Sequence, residues 1–88
     1  MPKPRKSAFE PEYRNIVEQL VARRDELGLT QAQLGERYGE DQSFISRVER
    51  LQRRIDVWEF VRFCSILQIK PEEILAPLYA REAKNRRR

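Results

Sequence analysis

The sequence has no histidine, one cysteine (Cys64), three glycines and no long apolar run. Each scarcity removes a class of protein. Without histidine and with a single thiol, one chain cannot assemble a cysteine–histidine zinc site or close an internal disulfide. No imidazole is present to act as base for Ser43, Ser46 or Ser65, and Cys64 falls on an apolar helix face, so no enzyme is expected. No stretch approaches the ~20 apolar residues that cross a bilayer, and the start of the chain lacks the apolar core of a secretion signal. The expectations are a cytoplasmic location, no membrane partner, no cofactor, no metal and no small-molecule ligand. Few glycines and no period-two alternation leave no hairpin signal, so the fold is expected to be all α.

What the chain does have is charge. Of its 88 residues 36% are charged, 18 Lys and Arg against 14 Asp and Glu. A chain of this length holds one modest core and no deep substrate cavity, because small domains bury only roughly 60% of their unfolded surface. The net charge of +4 is unevenly placed. Lys3, Arg5 and Lys6 outweigh Glu10 at the start; Arg81, Lys84, Arg86, Arg87 and Arg88 outweigh Glu82 at the end. Residues 11–80 are left at −2. Within that acidic body, residues 42–54 set Arg47, Arg50, Arg53 and Arg54 against Glu49, a net +3. Such sorting fits a polyanionic partner, although charged ends also keep small domains dissolved.

Helical spacing accounts for most of the remainder. Residues 1–10 carry prolines and no apolar period and are read as a flexible basic arm. Pro11 opens a helix whose stripe is Tyr13, Ile16, Val17, Leu20, Val21 and Leu27, with Gly28 ending it. Thr30 and Gln33 form a capping box for a short second helix, which Gly39 stops. Asp41 caps a third helix containing Ile45 and Val48. Asp56 and Glu59 cap a fourth, rich in apolar residues, with Val57, Phe60, Cys64 and Leu67 expected to face inward. Pro71 starts a fifth that Pro77 is expected to kink or split. The domain is therefore placed at 11–80, with a basic tail over 81–88.

Residues 29–50, LTQAQLGERYGEDQSFISRVER, join a capped short helix, a glycine turn and a second short helix with a polar face. That is a helix-turn-helix, with the motif at 30–50. In such a unit the second helix enters the major groove while the first crosses the backbone and sets its angle. Thr30-Gln31, Leu34, Gly39, Gln42-Ser43, Ile45-Ser46-Arg47 and Glu49-Arg50 resemble the phage-repressor and Cro type of helix-turn-helix regulator, the XRE-like family. The resemblance covers about residues 13–75. It implies a five-helix, lambda-repressor-like domain that binds DNA, regulates transcription as a repressor, and works as a homodimer on paired half-sites.

Position by position, Gln31 resembles the family residue that touches phosphate and braces the glutamine opening the recognition helix, here Gln42. Gln42 would offer its amide to adenine, Ser43 could donate or accept at the next base, and Phe44 and Ser46 occupy neighbouring positions of the same face. Arg47 reaches either guanine or phosphate. Arg50, Gln52, Arg53 and Arg54 fit a backbone-facing loop. Arg24 and Glu49 match a largely buried ion pair of the family and are assigned to structure. Trp58, Leu78 and Tyr79 are candidates for the dimer interface, with core packing as the alternative.

Three residues depart from the family pattern. Glu40 stands where the turn usually buries an aliphatic side chain, Asp41 replaces a hydroxyl residue, and Leu51 replaces the glycine that ends the third helix. Leu51 is expected either to extend that helix or to fill the core. The rival reading is a protein-binding module, such as an antitoxin or helical adaptor with secondary DNA binding. A polar, arginine-bearing helix face argues against it, since a protein-binding helix would present apolar anchors there.

Overall fold

The computed structural model describes residues 10–86, and these form five helices with no strand among them: α1 Pro11–Glu26, α2 Gln31–Tyr38, α3 Gln42–Glu49, α4 Val57–Leu67 and α5 Pro71–Arg86. The arm assigned to residues 1–10 lies outside the described residues except for Glu10, as do Arg87 and Arg88.

Local chemistry sets the boundaries. Thr30 Oγ1 accepts from the Gln33 amide at 3.0 Å while Gln33 Oε1 accepts from the Thr30 amide at 2.9 Å. The Asp56–Glu59 pair repeats this reciprocal cap at the start of α4. These bonds satisfy amides that have no carbonyl one turn back. At the other ends, carbonyls are met by arginines from distant helices. Arg23 Nε of α1 donates to the Leu67 carbonyl at 2.8 Å, and Arg62 Nη2 of α4 donates to the Tyr38 carbonyl at 2.7 Å. Cationic donors also complement the negative end of the helix dipole.

Two non-glycine residues close helices in the left-handed conformation. Leu51 has φ +64° and Gln68 has φ +58°. Around Leu51 the Gln52 amide donates to the Arg47 carbonyl at 2.8 Å and the Leu51 amide to the Val48 carbonyl at 3.1 Å, the pattern of a Schellman stop. Leu51 therefore does not extend α3. It ends that helix as a glycine would, with its side chain half-buried.

The core lies where α4 is enclosed by the other helices, with Ile45, Leu67, Ile74, Cys64 and Leu34 the most deeply buried side chains. Tyr38 joins α2 to α3 and α4 through Phe44 and Phe63, at ring separations of 5.3 and 4.6 Å. Burial pushes the Cys64 thiol up to about 11, so it remains a protonated apolar side chain.

α4 and α5 depart from expectation. Val57, expected inside, is 80% exposed. It is the first residue of α4 and projects at the end of the helix, while Phe60, Phe63, Cys64 and Leu67 carry the inward stripe. Pro77 does not split α5, which continues unbroken to Arg86. Proline removes the bond to the carbonyl four residues back, that of Glu73, and both residues are exposed, so the break in the ladder lies at the surface and not in the core. The boundary placed at residue 80 consequently falls inside α5, and Arg81 ties this extension to α1 by an ion pair with Glu12 at 3.2 Å.

Candidate nucleic-acid interface

α2 and α3 meet through the turn at Gly39, and their angle depends on a close approach that the sequence reading overlooked. A Cβ on Gly35 would lie 2.7 Å from the Glu40 carbonyl oxygen and 3.1 Å from that of Asp41. Glycine in the middle of α2 lets the turn close against it. The signal was present in the sequence as a glycine inside a helical pattern. Glu40 itself is exposed, so no aliphatic side chain is buried at this turn.

Asp41 then starts α3, its Oδ1 accepting from the Phe44 amide at 3.0 Å and from Ser43 Oγ at 2.9 Å. These two bonds, the backbone one first, hold the Asp41 carboxyl below its ordinary value. Helical geometry divides the next residues between two faces. Phe44, Ile45 and Val48 turn inward; Gln42, Ser43 and Arg47 are exposed, and Ser46 is half-buried. Phe44 is thus removed from the base-reading set. It is 5% exposed, stacks parallel to Phe63 at 6.3 Å and is covered by the Arg53 guanidinium at 4.7 Å.

Arg53 is also reassigned. Its two terminal nitrogens each lie 3.0 Å from one carboxylate oxygen of Glu59, a forked pair that engages the guanidinium expected to face phosphate. Arg54 lies over the Tyr13 ring at 4.2 Å. Arg47, Arg50 and Gln52 are exposed.

Behind α3 sits a polar network that runs inward from its first residue. Gln42 Nε2 donates to Gln31 Oε1 at 3.4 Å, and Gln31 Nε2 donates to Glu49 Oε1 at 2.9 Å. Glu49 in turn accepts from Arg24 at 2.7 Å and 3.0 Å, and Arg24 Nη1 donates to the Leu29 carbonyl at 2.7 Å. The Arg24 and Glu49 side chains are 12% and 11% exposed. The bond to Glu49 raises the Arg24 pKa further above its ordinary value. An exposed glutamine at the start of α3 is thereby connected to a largely enclosed ion pair between α1 and α3.

A family model described as helix-turn-helix matches residues 20–74, which is well over half of the chain and takes in α2, the turn and α3. The chain belongs to the Cro/C1-type helix-turn-helix family. No curated protein matches it. Membership makes this Cro/C1-type protein a DNA-binding regulator with the lambda-repressor-like all-α fold. Among the described residues no helix is long and apolar enough to cross a membrane, and no group of side chains could hold a metal ion.

The dimer candidates of this Cro/C1-type domain differ in exposure. Trp58 and Tyr79 are 67% and 71% exposed, whereas Leu78 is half-buried. Val57, Val61 and Leu75 are exposed as well, and Val57 and Leu75 line a common shallow groove with Tyr13, Ile16 and Phe60.

Proposed function

We propose that the protein is a sequence-specific repressor that binds double-stranded DNA as a homodimer, reading the major groove with α3. The observation that carries this reading is the arrangement of α3. Gln42, Ser43 and Arg47 are exposed on the helix that the family places in the groove, and Gln42 is braced by Gln31. Gln42 supplies a donor and an acceptor to adenine, Ser43 and Ser46 meet neighbouring groups, and Arg47 meets guanine or phosphate. Gln31, Arg50, Gln52 and Arg54 are assigned to the backbone, where contacts position the helix without specifying sequence. Repression is the output that occupancy alone provides, because a bound dimer excludes other proteins from the duplex it covers.

Dimerisation is supported by the exposed apolar side chains of α4 and α5, Trp58 and Tyr79 foremost. A two-fold pair of α3 helices then matches paired half-sites about one helical turn apart, roughly 34–36 Å. The same exposed apolar side chains favour a second reading, in which a protein partner such as a toxin covers them and DNA binding is secondary.

Selection of bound fragments from random DNA, followed by salt titration, tests the proposal. The expected result is an enriched paired site, whose preference falls with Gln42→Ala and Arg47→Ala. Binding without sequence preference, or a site indifferent to both substitutions, refutes it. Light scattering at micromolar concentration separates the two uses of these apolar side chains: a dimeric mass supports the homodimer, and a monomeric one favours the protein partner.

A further inference from the structure

We propose that Glu49 is a positioning residue for base reading: its carboxylate sets which way round the Gln31 amide sits, and through it which hydrogen-bonding edge Gln42 presents to a base pair. The inference rests on the reading of α3 as the groove-reading helix, and it assigns Glu49 a role beyond its ion pair with Arg24.

The argument starts from polarity. An ionised carboxylate only accepts hydrogen bonds, whereas a glutamine amide has a donating and an accepting end. Glu49 Oε1 lies 2.9 Å from the Gln31 side-chain nitrogen, and the carboxylate is held in place by Arg24 at 2.7 Å and 3.0 Å. The NH2 end of Gln31 must therefore face Glu49, which turns its Oε1 outward to accept from Gln42 Nε2 at 3.4 Å. Gln42 now has one N–H directed at Gln31, leaving a second N–H beside its own Oε1. A donor beside an acceptor matches adenine, which offers N7 and the N6 amino group. With Gln31 reversed, Gln42 would turn its oxygen towards it and expose two N–H groups, which suit the N7 and O6 acceptors of guanine.

Two substitutions separate this role from folding. Glu49→Gln keeps the shape but lets the side chain donate or accept, so Gln31 is no longer held one way round; it also weakens the partner of Arg24. Gln31→Met removes both amide bonds and leaves the Arg24–Glu49 pair intact. The measurement is the affinity of the full chain for its selected duplex, for the same duplex with the A·T pair under Gln42 changed to G·C, and for an unrelated duplex. Each variant is measured below its own melting temperature.

The native chain is expected to prefer A·T roughly tenfold or more. Glu49→Gln and Gln31→Met should each lower that ratio at least about threefold, and combining them should lower it no further. Glu49→Gln should leave binding to the unrelated duplex within about twofold, whereas Gln31→Met, which also removes a backbone contact, should weaken binding to all three duplexes besides lowering the ratio. If Gln42→Ala leaves the ratio unchanged, the groove reading itself fails. If Gln42→Ala abolishes it but Glu49→Gln and Gln31→Met preserve it, the groove reading stands and the role of Glu49 falls. The role also falls if Glu49→Gln lowers the ratio as much in the Gln31→Met background as in the native chain, because Glu49 would then act through the fold and not through Gln31.

Discussion

The Arg53 guanidinium holds both carboxylate oxygens of Glu59 at 3.0 Å while covering the ring of Phe44, so the loop after α3, the start of α4 and the aromatic core are fastened at one point. Glu59 is also the reciprocal cap of Asp56. The bond from Arg53, desolvation working against it, holds the Glu59 carboxyl below its ordinary value of 4.5. A carboxyl lowered on folding adds stability that is present above its unfolded value and lost as pH falls through the folded one. Asp41, lowered chiefly by the Phe44 amide, acts with the same sign. Melting temperature should therefore decline as pH drops below about 4.5, and Glu59→Gln should flatten that decline while lowering stability at neutral pH. An unchanged acid limb in Glu59→Gln would place the acid sensitivity elsewhere.

Arg24→Ala leaves Glu49 largely enclosed with its main cationic partner gone. Breaking a buried pair costs about 3–5 kcal/mol, and the partial exposure here argues for about 3. Calorimetry should show a melting temperature lower by more than about 10 °C. A normal melt with weaker DNA binding would move Arg24 from the fold to the interface.

Gly35→Ala weighs two effects of opposite sign. Alanine favours a helix interior over glycine by about 1 kcal/mol. The added Cβ meets backbone carbonyls at 2.7 and 3.1 Å, and these belong to a turn that cannot swing aside as a flexible side chain can. Overpacking of that kind costs about 1–3 kcal/mol, so a net loss of roughly 1 kcal/mol is expected in urea unfolding. DNA affinity should fall as well, since the turn sets the angle of α3.

Gln68→Gly should stabilise the protein. Gln68 is exposed at φ +58°, a conformation costing about 1–2 kcal/mol for a residue with a Cβ, part of which the looser unfolded glycine chain offsets. A gain of about 0.5–1 kcal/mol is expected. Leu51→Gly relieves the same strain at φ +64° but removes a half-buried side chain that lines a groove with Val17 and Val21, so it should gain less. Equal gains at both positions would show that the Leu51 side chain contributes no packing.

Tyr38→Phe isolates one oxygen. The Tyr38 hydroxyl is buried without a hydrogen-bond partner among the described residues, and burial raises its pKa. The ring contacts with Phe44 and Phe63 survive the substitution. Removing the unsatisfied group should leave stability unchanged or raise it by about 1 kcal/mol in thermal melts. A clear loss would mean that the hydroxyl has a partner.

The five helices and their caps were legible in the chain because the interactions that start and stop a helix span three or four residues. Thr30 with Gln33 and Asp56 with Glu59 declare themselves at that spacing, and the register of Gln31, Gln42 and the surrounding apolar residues was enough to indicate the family. Phe44, by contrast, was expected on the base-reading face and is buried. It sits between Ser43 and Ile45 at the boundary of the two faces, and the aromatic neighbours that draw it inward, Tyr38 and Phe63, come from other helices.

Longer-range relationships had no such local signature. Gln31 and Glu49 are 18 positions apart, Arg23 and the Leu67 carbonyl 44, and no spacing rule links them. Four arginines in residues 42–54 looked alike as a charge count, yet Glu59 engages Arg53 and Tyr13 underlies Arg54, because chain packing brings those particular partners within a few ångströms. Composition and helical spacing thus settled the class of fold and the helix starts, which depend on contacts within one or two turns, and the resemblance of the residues from Thr30 to Arg50 indicated the regulator family. The ends of α3 at Leu51 and of α5 beyond Pro77 were fixed only in the folded chain. Packing settled which polar side chains became internal supports and which faced outward, since a hydrogen bond or ion pair forms only where the folded chain places its two ends together.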